Sequence, residues 1–346
     1  MHSSRPTPPS DARILIVGAG AIGALTAALM RMRGYRVTLV CKYMAVADLA
    51  NGRGIRITGV QGDHLVTVPS VADPAELQDM YDLCFMATKA YDLTEAAKSV
   101  LSFLKKDALV AAMQDGMAVE ELAAAVGRER TVGCAIGFGA TLLQPCDVEM
   151  TSGGQVLLGK LDGTFPPLLE VMRDALSCVV PAQISARIEV ELYAKLLVNA
   201  CITSLGAVTG LRLGELMFLG RARRISLCIL REGLQVADAM GITVPPYGGR
   251  LDFYRLVRGN GLWSRMYRLW IVQSVKGKFA RMKSSALQSL ERGKPTEIDY
   301  LNGYIVRKGE ELGVPTPANA ALVQLIRNIE QGVTAIKVKN LDRLPC

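Results

Sequence analysis

The chain has 346 residues, half of them hydrophobic and 21% charged, with a formal net charge of +8. That length and apolar content can bury a sizeable core and imply two domains of ~100 to 200 residues with a cleft between them. No apolar run reaches the ~18 residues of a membrane span, and the opening MHSSRPTPPSDA lacks the apolar centre of a signal peptide, so a soluble cytoplasmic protein is expected.

Residues 1–11 read as a disordered Pro/Ser tail. Arg13–Val17 is a short apolar run that ends in a glycine turn and an Ala/Leu-rich stretch, the pattern of a buried strand, a turn and a helix. A second strand, Arg36–Val40, follows Gly34, and the alternation recurs with strands at 83–87 and 108–113 and a helix from about Leu93. Strands separated by helices imply an α/β fold with a parallel, doubly wound sheet of Rossmann type. Residues 132–139 read as its last strand, and 147–151 facing 155–159 across Ser152-Gly153-Gly154 as a closing hairpin. The first domain is placed at 12–185.

Beyond Ser185 the texture changes to long helical stretches at 189–205, 222–240 and 297–312, so 186–346 is expected to be an all-helical substrate and catalytic domain. The charge follows this division. Residues 1–185 hold 16 Lys/Arg against 19 Asp/Glu, and residues 186–346 hold 24 against 13. Between residues 250 and 283, nine basic side chains stand against Asp252 alone, interleaved with Phe253, Tyr254, Trp263, Tyr267, Trp270 and Phe279. Such a segment suits nucleic acid or an acidic membrane surface, or else a solvated helix pair that covers a cleft or a subunit contact. The second reading is preferred, with no nucleic acid or membrane partner and a homodimer through the helical domain allowed. A basic second domain also favours an anionic cofactor and substrate.

Cys41, Cys84, Cys134, Cys146, Cys178, Cys201, Cys228 and Cys346 are scattered, mostly among apolar neighbours, without a Cys-x-x-Cys pair or a histidine cluster. Reduced core thiols are expected, and no metal site.

Gly18-Ala19-Gly20-Ala21-Ile22-Gly23 is a G-x-G-x-x-G directly after a strand and opening a helix. In that setting Gly18 permits the tight turn, Gly20 lets backbone approach a pyrophosphate, and Gly23 lets helix and strand pack closely. An NAD-preferring site ends its second strand with an acid for the ribose 2′-hydroxyl. Here Cys41-Lys42-Tyr43 follows, and no acid appears before Asp48. Lys42 offers a cation for a 2′-phosphate, which favours NADP(H). Lys89 follows the 83–87 strand, where carboxyl ends line the ligand crevice, and is a candidate phosphate, ribose or substrate contact.

The histidines are His2, in the tail, and His64, in an early loop or edge strand, so a histidine proton donor is not expected. Lys195 and Asn199 stand four residues apart in the mostly apolar ELYAKLLVN (191–199) and share a helix face. Either the lysine snorkels to solvent, or the pair points into the cleft, where partial burial would favour release of its proton to substrate.

With ATKAY (87–91), MQDGM (113–117) and SSALQSLERGKPTEIDYLNG (284–303), these motifs occur in the order and spacing of ketopantoate reductases, which the chain resembles from about Arg13 to Gly332. The resemblance implies reduction of a branched 2-oxo acid by NADPH, 2-dehydropantoate to pantoate in pantothenate biosynthesis. By it Lys195 matches the general acid, Asn199 a substrate-binding amide, Ser285 the hydroxyl that receives substrate and Glu297 the acidic partner in catalysis. Lys89 matches a cofactor-contacting lysine. Asp115, Gly139 and Glu297 complete the expected cofactor set, and Asp115 and Thr203 the substrate set. Glu297 and Asp299 could equally serve the dipole of a helix that starts after Pro295-Thr296, and Ser284 and Ser285 could cap a helix.

Three residues depart from the family pattern: Asp115 in place of the asparagine of Q-N-G, Thr203 where asparagine is common, and Ser289 where aspartate is common. The segment 246–283 also looks longer. An ionised Asp115 would oppose a substrate carboxylate, so it is expected to pair with a lysine such as Lys89 or Lys195. Alternative functions are a reductase of another 2-oxo acid or of an imine, as in opine-type dehydrogenases, and a non-catalytic NADP(H)-binding regulator.

Overall fold

The computed structural model describes residues 11–259, 266 and 283–346. The N-terminal tail and most of the basic segment singled out in the sequence lie outside the described residues. The chain divides into two units, one of residues 11–114 with Ala118–Glu189, the other of Asp115–Met117 with Val190–Cys346. The second unit thus takes three residues from within the first stretch of chain, and it starts at Val190 where the sequence suggested 186.

In the first unit, β1 (Arg13–Val17), β2 (Arg36–Val40), β5 (Ser70–Val71), β6 (Tyr81–Met86), β7 (Leu104–Ala112) and β8 (Thr131–Ile136) pair in parallel in the order β5-β2-β1-β6-β7-β8. This is the doubly wound order, in which the direction of winding reverses between β1 and β6. Four of the five residues of β1 are buried, as a central strand covered on both faces requires. The sheet continues through β11 (Val156–Lys160), antiparallel to β8, to β12 (Ala182–Ile184).

A second sheet, β4-β3-β10-β9, is formed by β3 (Ile55–Gly59), β4 (His64–Val66), β9 (Gly139–Gln144) and β10 (Asp147–Ser152). Helix α1 (Ala21–Met32) packs on β1 and β2 and also on β3, β9 and β10. Cover on both sides explains why it lacks a polar face and why its residues from Gly23 to Met30 are buried.

The hairpin expected between 147–151 and 155–159 does not form. β10 pairs with β9 and β3, whereas β11 pairs with β8 and β12 in the other sheet. Gly153-Gly154 carries the chain between sheets, and a side chain on Gly154 would overlap the Gly137 carbonyl. The hairpin that does form joins β9 to β10 through Pro145 and Cys146, the latter at φ 59°.

The second unit is built of helices, and among the described residues its β pairing is one bridge, Tyr247 to Leu251. The principal helices are Ile188–Thr209, Gly220–Ala239, Asn302–Leu312 and Pro317–Glu330, the last three in mutual contact. Ile188–Thr209 has the length and average hydropathy of a membrane span, although Glu191 and Lys195 interrupt any continuous apolar run in it. That apolar stretch is 83% buried inside the protein, so it serves as the core helix of this unit.

A buried polar chain ties these helices. Ser204 donates to Asn302 Oδ1, and Asn302 Nδ2 donates to the Ala200 carbonyl (3.1 Å) and Asn319 Oδ1 (2.9 Å). Asn319 Nδ2 in turn donates to Glu232 Oε2 at 2.7 Å. The Glu232 carboxylate also accepts from the Ala318 and Asn319 amides (2.8 and 2.9 Å), capping Pro317–Glu330 with a negative charge from another helix.

Two cysteines depart from the expectation of free thiols, since Cys228 and Cys346 form a disulfide with Cα atoms 6.4 Å apart. They are 118 residues apart in sequence, and no local spacing announces a pair that the fold brings together. Arg221 holds the same end of the chain through the Cys346 and Leu344 carbonyls (2.6 and 2.9 Å).

Candidate active site

In the first unit the chain leaves β1 at Gly18 (φ 109°) and enters α1 at Ala21, with Gly20 as N-cap. A Cβ on Gly18 would lie 2.8 Å from the Ala87 and Thr88 backbone, and one on Gly23 would overlap the Gly18 carbonyl and lie 2.9 Å from Ala87 Cβ. Both glycines are therefore demanded by the close packing of the turn, α1 and the end of β6. Beside Gly20 no atom would come within 4 Å, so the backbone there is open to a ligand. Ala19, Ala21 and Ile22 are half-buried against the core, and the first turn of α1 has no acid to oppose an anion. These features fit a dinucleotide pyrophosphate.

Two further observations support the fit. Gln114 Nε2 donates to the Met86 and Thr88 carbonyls (2.9 and 3.0 Å), yet Gln114 Oε1 and Thr88 Oγ1 are buried without a hydrogen-bond partner. Polar groups buried in this way ordinarily find a partner, and a polar ligand at the carboxyl ends of β6 and β7 would supply one. Lys89 follows β6, half-buried, at the start of the turn Ala90–Asp92.

Lys42 stands just beyond β2, as the sequence places it, but with an acid beside it. Both oxygens of Asp92 accept from Lys42 Nζ, at 3.2 and 3.1 Å. Their hydrogen bond and charge raise the lysine's pKa above its ordinary value. This acid does not follow β2 along the chain but arrives from the segment that follows β6. Gly139 opens β9 in the other sheet, where a Cβ would meet the Thr151 and Ser152 hydroxyls at 2.7 and 2.8 Å, a packing reason for glycine. His64 Nε2 is bonded to the Gln61 carbonyl at 2.8 Å.

In the second unit, Lys195, Asn199 and Thr203 recur every fourth residue along Ile188–Thr209 and so share one face. The Lys195 side chain is 9% exposed, and its Nζ lies 2.7 Å from Asp115 Oδ1. The expected pairing of Asp115 with a lysine is therefore present, and the partner is Lys195. Gly116 makes it possible. It adopts φ 80°, and any side chain there would overlap the Tyr300 carbonyl. The Asp115-Gly116 dipeptide is a turn signal that could have flagged this position from sequence.

Asp115 and Thr203 line a pocket with Ser285, Ala286, Ser289, Glu297 and Leu301. Ser284 caps the helix Ser285–Glu291 by accepting from the Leu287 amide (3.2 Å), which leaves the exposed Ser285 hydroxyl for the pocket. A Cβ on Gly206 would meet Ser284 Oγ at 2.8 Å, so this glycine lets the two helices approach. One turn beyond Lys195, Asn199 Nδ2 is buried without a hydrogen-bond partner.

Glu297 does not sit in the first turn of an α-helix over 297–312, as the sequence suggested. A 3-10 turn, Ile298–Tyr300, comes first, and Leu301 (φ −105°, ψ −103°) breaks the chain before Asn302–Leu312. The Glu297 side chain makes no capping bond. Its neighbour Thr296 is fixed by Glu330 Oε1, which accepts from the Thr296 amide (2.7 Å) and hydroxyl (2.6 Å), an anchor with no sequence signal. Asp299 turns away to Arg327 at 2.6 Å. The pocket thus gathers two carboxylates and three hydroxyls, and one of those carboxylates, Asp115, is paired with the buried Lys195 ammonium. No cluster of three or more His, Cys, Asp or Glu side chains suited to a metal ion occurs among the described residues.

A doubly wound dinucleotide-binding unit followed by a helical unit with a buried lysine paired to a carboxylate of a polar pocket defines an oxidoreductase of two-unit Rossmann type. Residues 14–163 match the family described as Ketopantoate reductase PanE/ApbA, and residues 187–330 match Ketopantoate reductase PanE/ApbA C terminal. The 2-dehydropantoate 2-reductase of Archaeoglobus fulgidus is 31% identical over 326 residues, which cover 93% of this chain and 99% of that protein. The chain belongs to the ketopantoate reductase family, and it is an oxidoreductase acting on a 2-oxo acid. The family is one of NADP-dependent reductases. Among solved structures, the PanE/ApbA family ketopantoate reductase from Ralstonia eutropha is similar at TM-score 0.79 and 25% identity, over 93% of this chain and 99% of that one. D-mandelate dehydrogenase, in a ternary structure with NADH and anilino(oxo)acetate, shares the fold at TM-score 0.81 and 24% identity, over 93% and 100%.

Proposed function

We propose that the protein reduces a branched 2-oxo acid with NADPH, and that the reaction is 2-dehydropantoate to pantoate, with Lys195 as general acid. The observation that carries this reading is the buried Lys195, paired with Asp115, which lines the polar pocket together with Thr203 from the same helix face as Lys195. Gly18, Gly20 and Gly23 hold the pyrophosphate at the start of α1, and Lys42 meets the 2′-phosphate. Bound NADPH supplies a hydride to the substrate's carbonyl carbon. As negative charge gathers on the carbonyl oxygen, Lys195 Nζ gives it a proton, and Asp115 holds that ammonium in place beforehand. The Asn199 amide donates to the substrate, the Ser285 hydroxyl receives its polar end, and Glu297 is the acidic partner.

A different 2-oxo acid is the second reading, favoured by the position of Asp115, Thr203 and Ser289, the three departures from the family pattern, in the wall of one pocket. One experiment separates the two. NADPH absorbance is followed with a panel of 2-oxo acids, with and without amines, for the wild type and Lys195→Ala. Consumption with 2-dehydropantoate above all others, and a loss of ~10² to 10⁴-fold in kcat for the variant with NADPH binding kept, is expected. Faster turnover of another oxo acid would transfer the assignment to it, amine-dependent turnover would point to imine reduction, and a normal kcat for Lys195→Ala would remove it from the chemistry.

A further inference from the structure

Asp92 closes the 3-10 turn Ala90–Asp92 and leads directly into the helix Leu93–Val100 with a helical backbone of its own (φ −95°, ψ −7°), so its carboxylate is not engaged as a cap. Both oxygens turn to Lys42 Nζ. The pair is solvent-facing, with the side chains 64% and 34% exposed, and an ion pair of that kind adds little to stability. A gain in stability therefore does not account for the pair. Position offers a better reason. Lys42 follows β2 and Asp92 follows β6, the two strands that flank β1, and the carboxyl end of β1 carries the glycine turn. The cation and the acid thus meet at the edge of the dinucleotide site, where the two nicotinamide cofactors differ by one phosphate on the ribose 2′-oxygen.

We propose that Asp92 is a specificity-determining residue that sets the balance between NADPH and NADH by competing for Lys42. NADPH has to take the ammonium from Asp92, and its 2′-phosphate then lies near a carboxylate of like charge. NADH leaves the pair intact and finds in Asp92 an acceptor for its 2′-hydroxyl. The inference rests on the reading of Lys42 as the 2′-phosphate contact, and it makes the protein less exclusive for NADPH than Lys42 alone would.

The test titrates NADPH and NADH separately, without substrate, into wild type, Asp92→Asn, Lys42→Ala and the double variant, and reads dissociation constants from nicotinamide fluorescence. Asp92→Asn should tighten NADPH about five-fold, the scale of releasing an exposed ion pair, and leave NADH unchanged or weaker. In the Lys42→Ala background the same substitution should no longer tighten NADPH by that amount. An unchanged ratio of the two constants, or equal tightening without Lys42, overturns the role of Asp92 alone. A wild type that binds neither dinucleotide overturns the nicotinamide-cofactor reading itself, and this inference with it.

Discussion

Lys195 Nζ lies 2.7 Å from Asp115 Oδ1, and the two side chains reach each other from separate parts of the chain because Asp115–Met117 folds with the second unit. A carboxylate at that distance holds the ammonium and fixes its direction. Asp115→Asn keeps an acceptor and removes the charge. The variant should retain NADPH binding and continue to reduce 2-oxo acids. Loss of turnover on every 2-oxo acid, with NADPH still bound, would give Asp115 a direct role with substrate.

Gly116 is the residue that allows Asp115 to reach Lys195. Gly116→Ala would put a side chain at φ 80° and into the Tyr300 carbonyl, so about 1 to 3 kcal/mol of stability should be lost locally. The expected signature is a fall in kcat at nearly constant NADPH affinity, because the glycine turn is built separately in the first unit. Equal losses in both quantities would indicate general misfolding.

Glu232 is buried and accepts from two backbone amides and the Asn319 side chain at 2.7 to 2.9 Å. Glu232→Gln replaces one acceptor oxygen by a donor that faces N–H groups, and a cost of roughly 2 to 4 kcal/mol follows for a broken buried charge-assisted set. Chemical denaturation should show the loss. Destabilisation below about 0.5 kcal/mol, the range of ordinary surface changes, would mean that the capping role is dispensable.

Six cysteines are free, and five of them are buried, with only Cys178 half-exposed. Burial pushes the Cys41 and Cys84 thiols up to about 12, and raises Cys178 as well. A thiol-specific reagent at pH 8 should therefore modify at most one thiol promptly in the native protein. It should find six after denaturation and eight after reduction, since Cys228 and Cys346 are bonded. Eight thiols without reductant would remove the disulfide.

What can be read from the sequence alone is what depends on neighbours along the chain. The glycine turn after Arg13–Val17 is legible because strand, turn and helix follow within a dozen residues, and each glycine has a local reason. The shared face of Lys195, Asn199 and Thr203 is legible because helical periodicity alone aligns them. The family motifs add the candidate roles, and the Ser284 cap was among the alternatives that local rules allowed. Tertiary structure decided the rest. β10 pairs with β9 and β3 instead of β11, and Asp92 takes Lys42 across fifty residues. Thr296 is anchored by Glu330, and Cys346 returns to Cys228. In each of these the local sequence is compatible with several partners, and the choice falls to whichever burial and hydrogen bonding the completed packing satisfies. Hydrogen bonds and ion pairs between distant residues carry no period along the chain, so only the folded arrangement selects them.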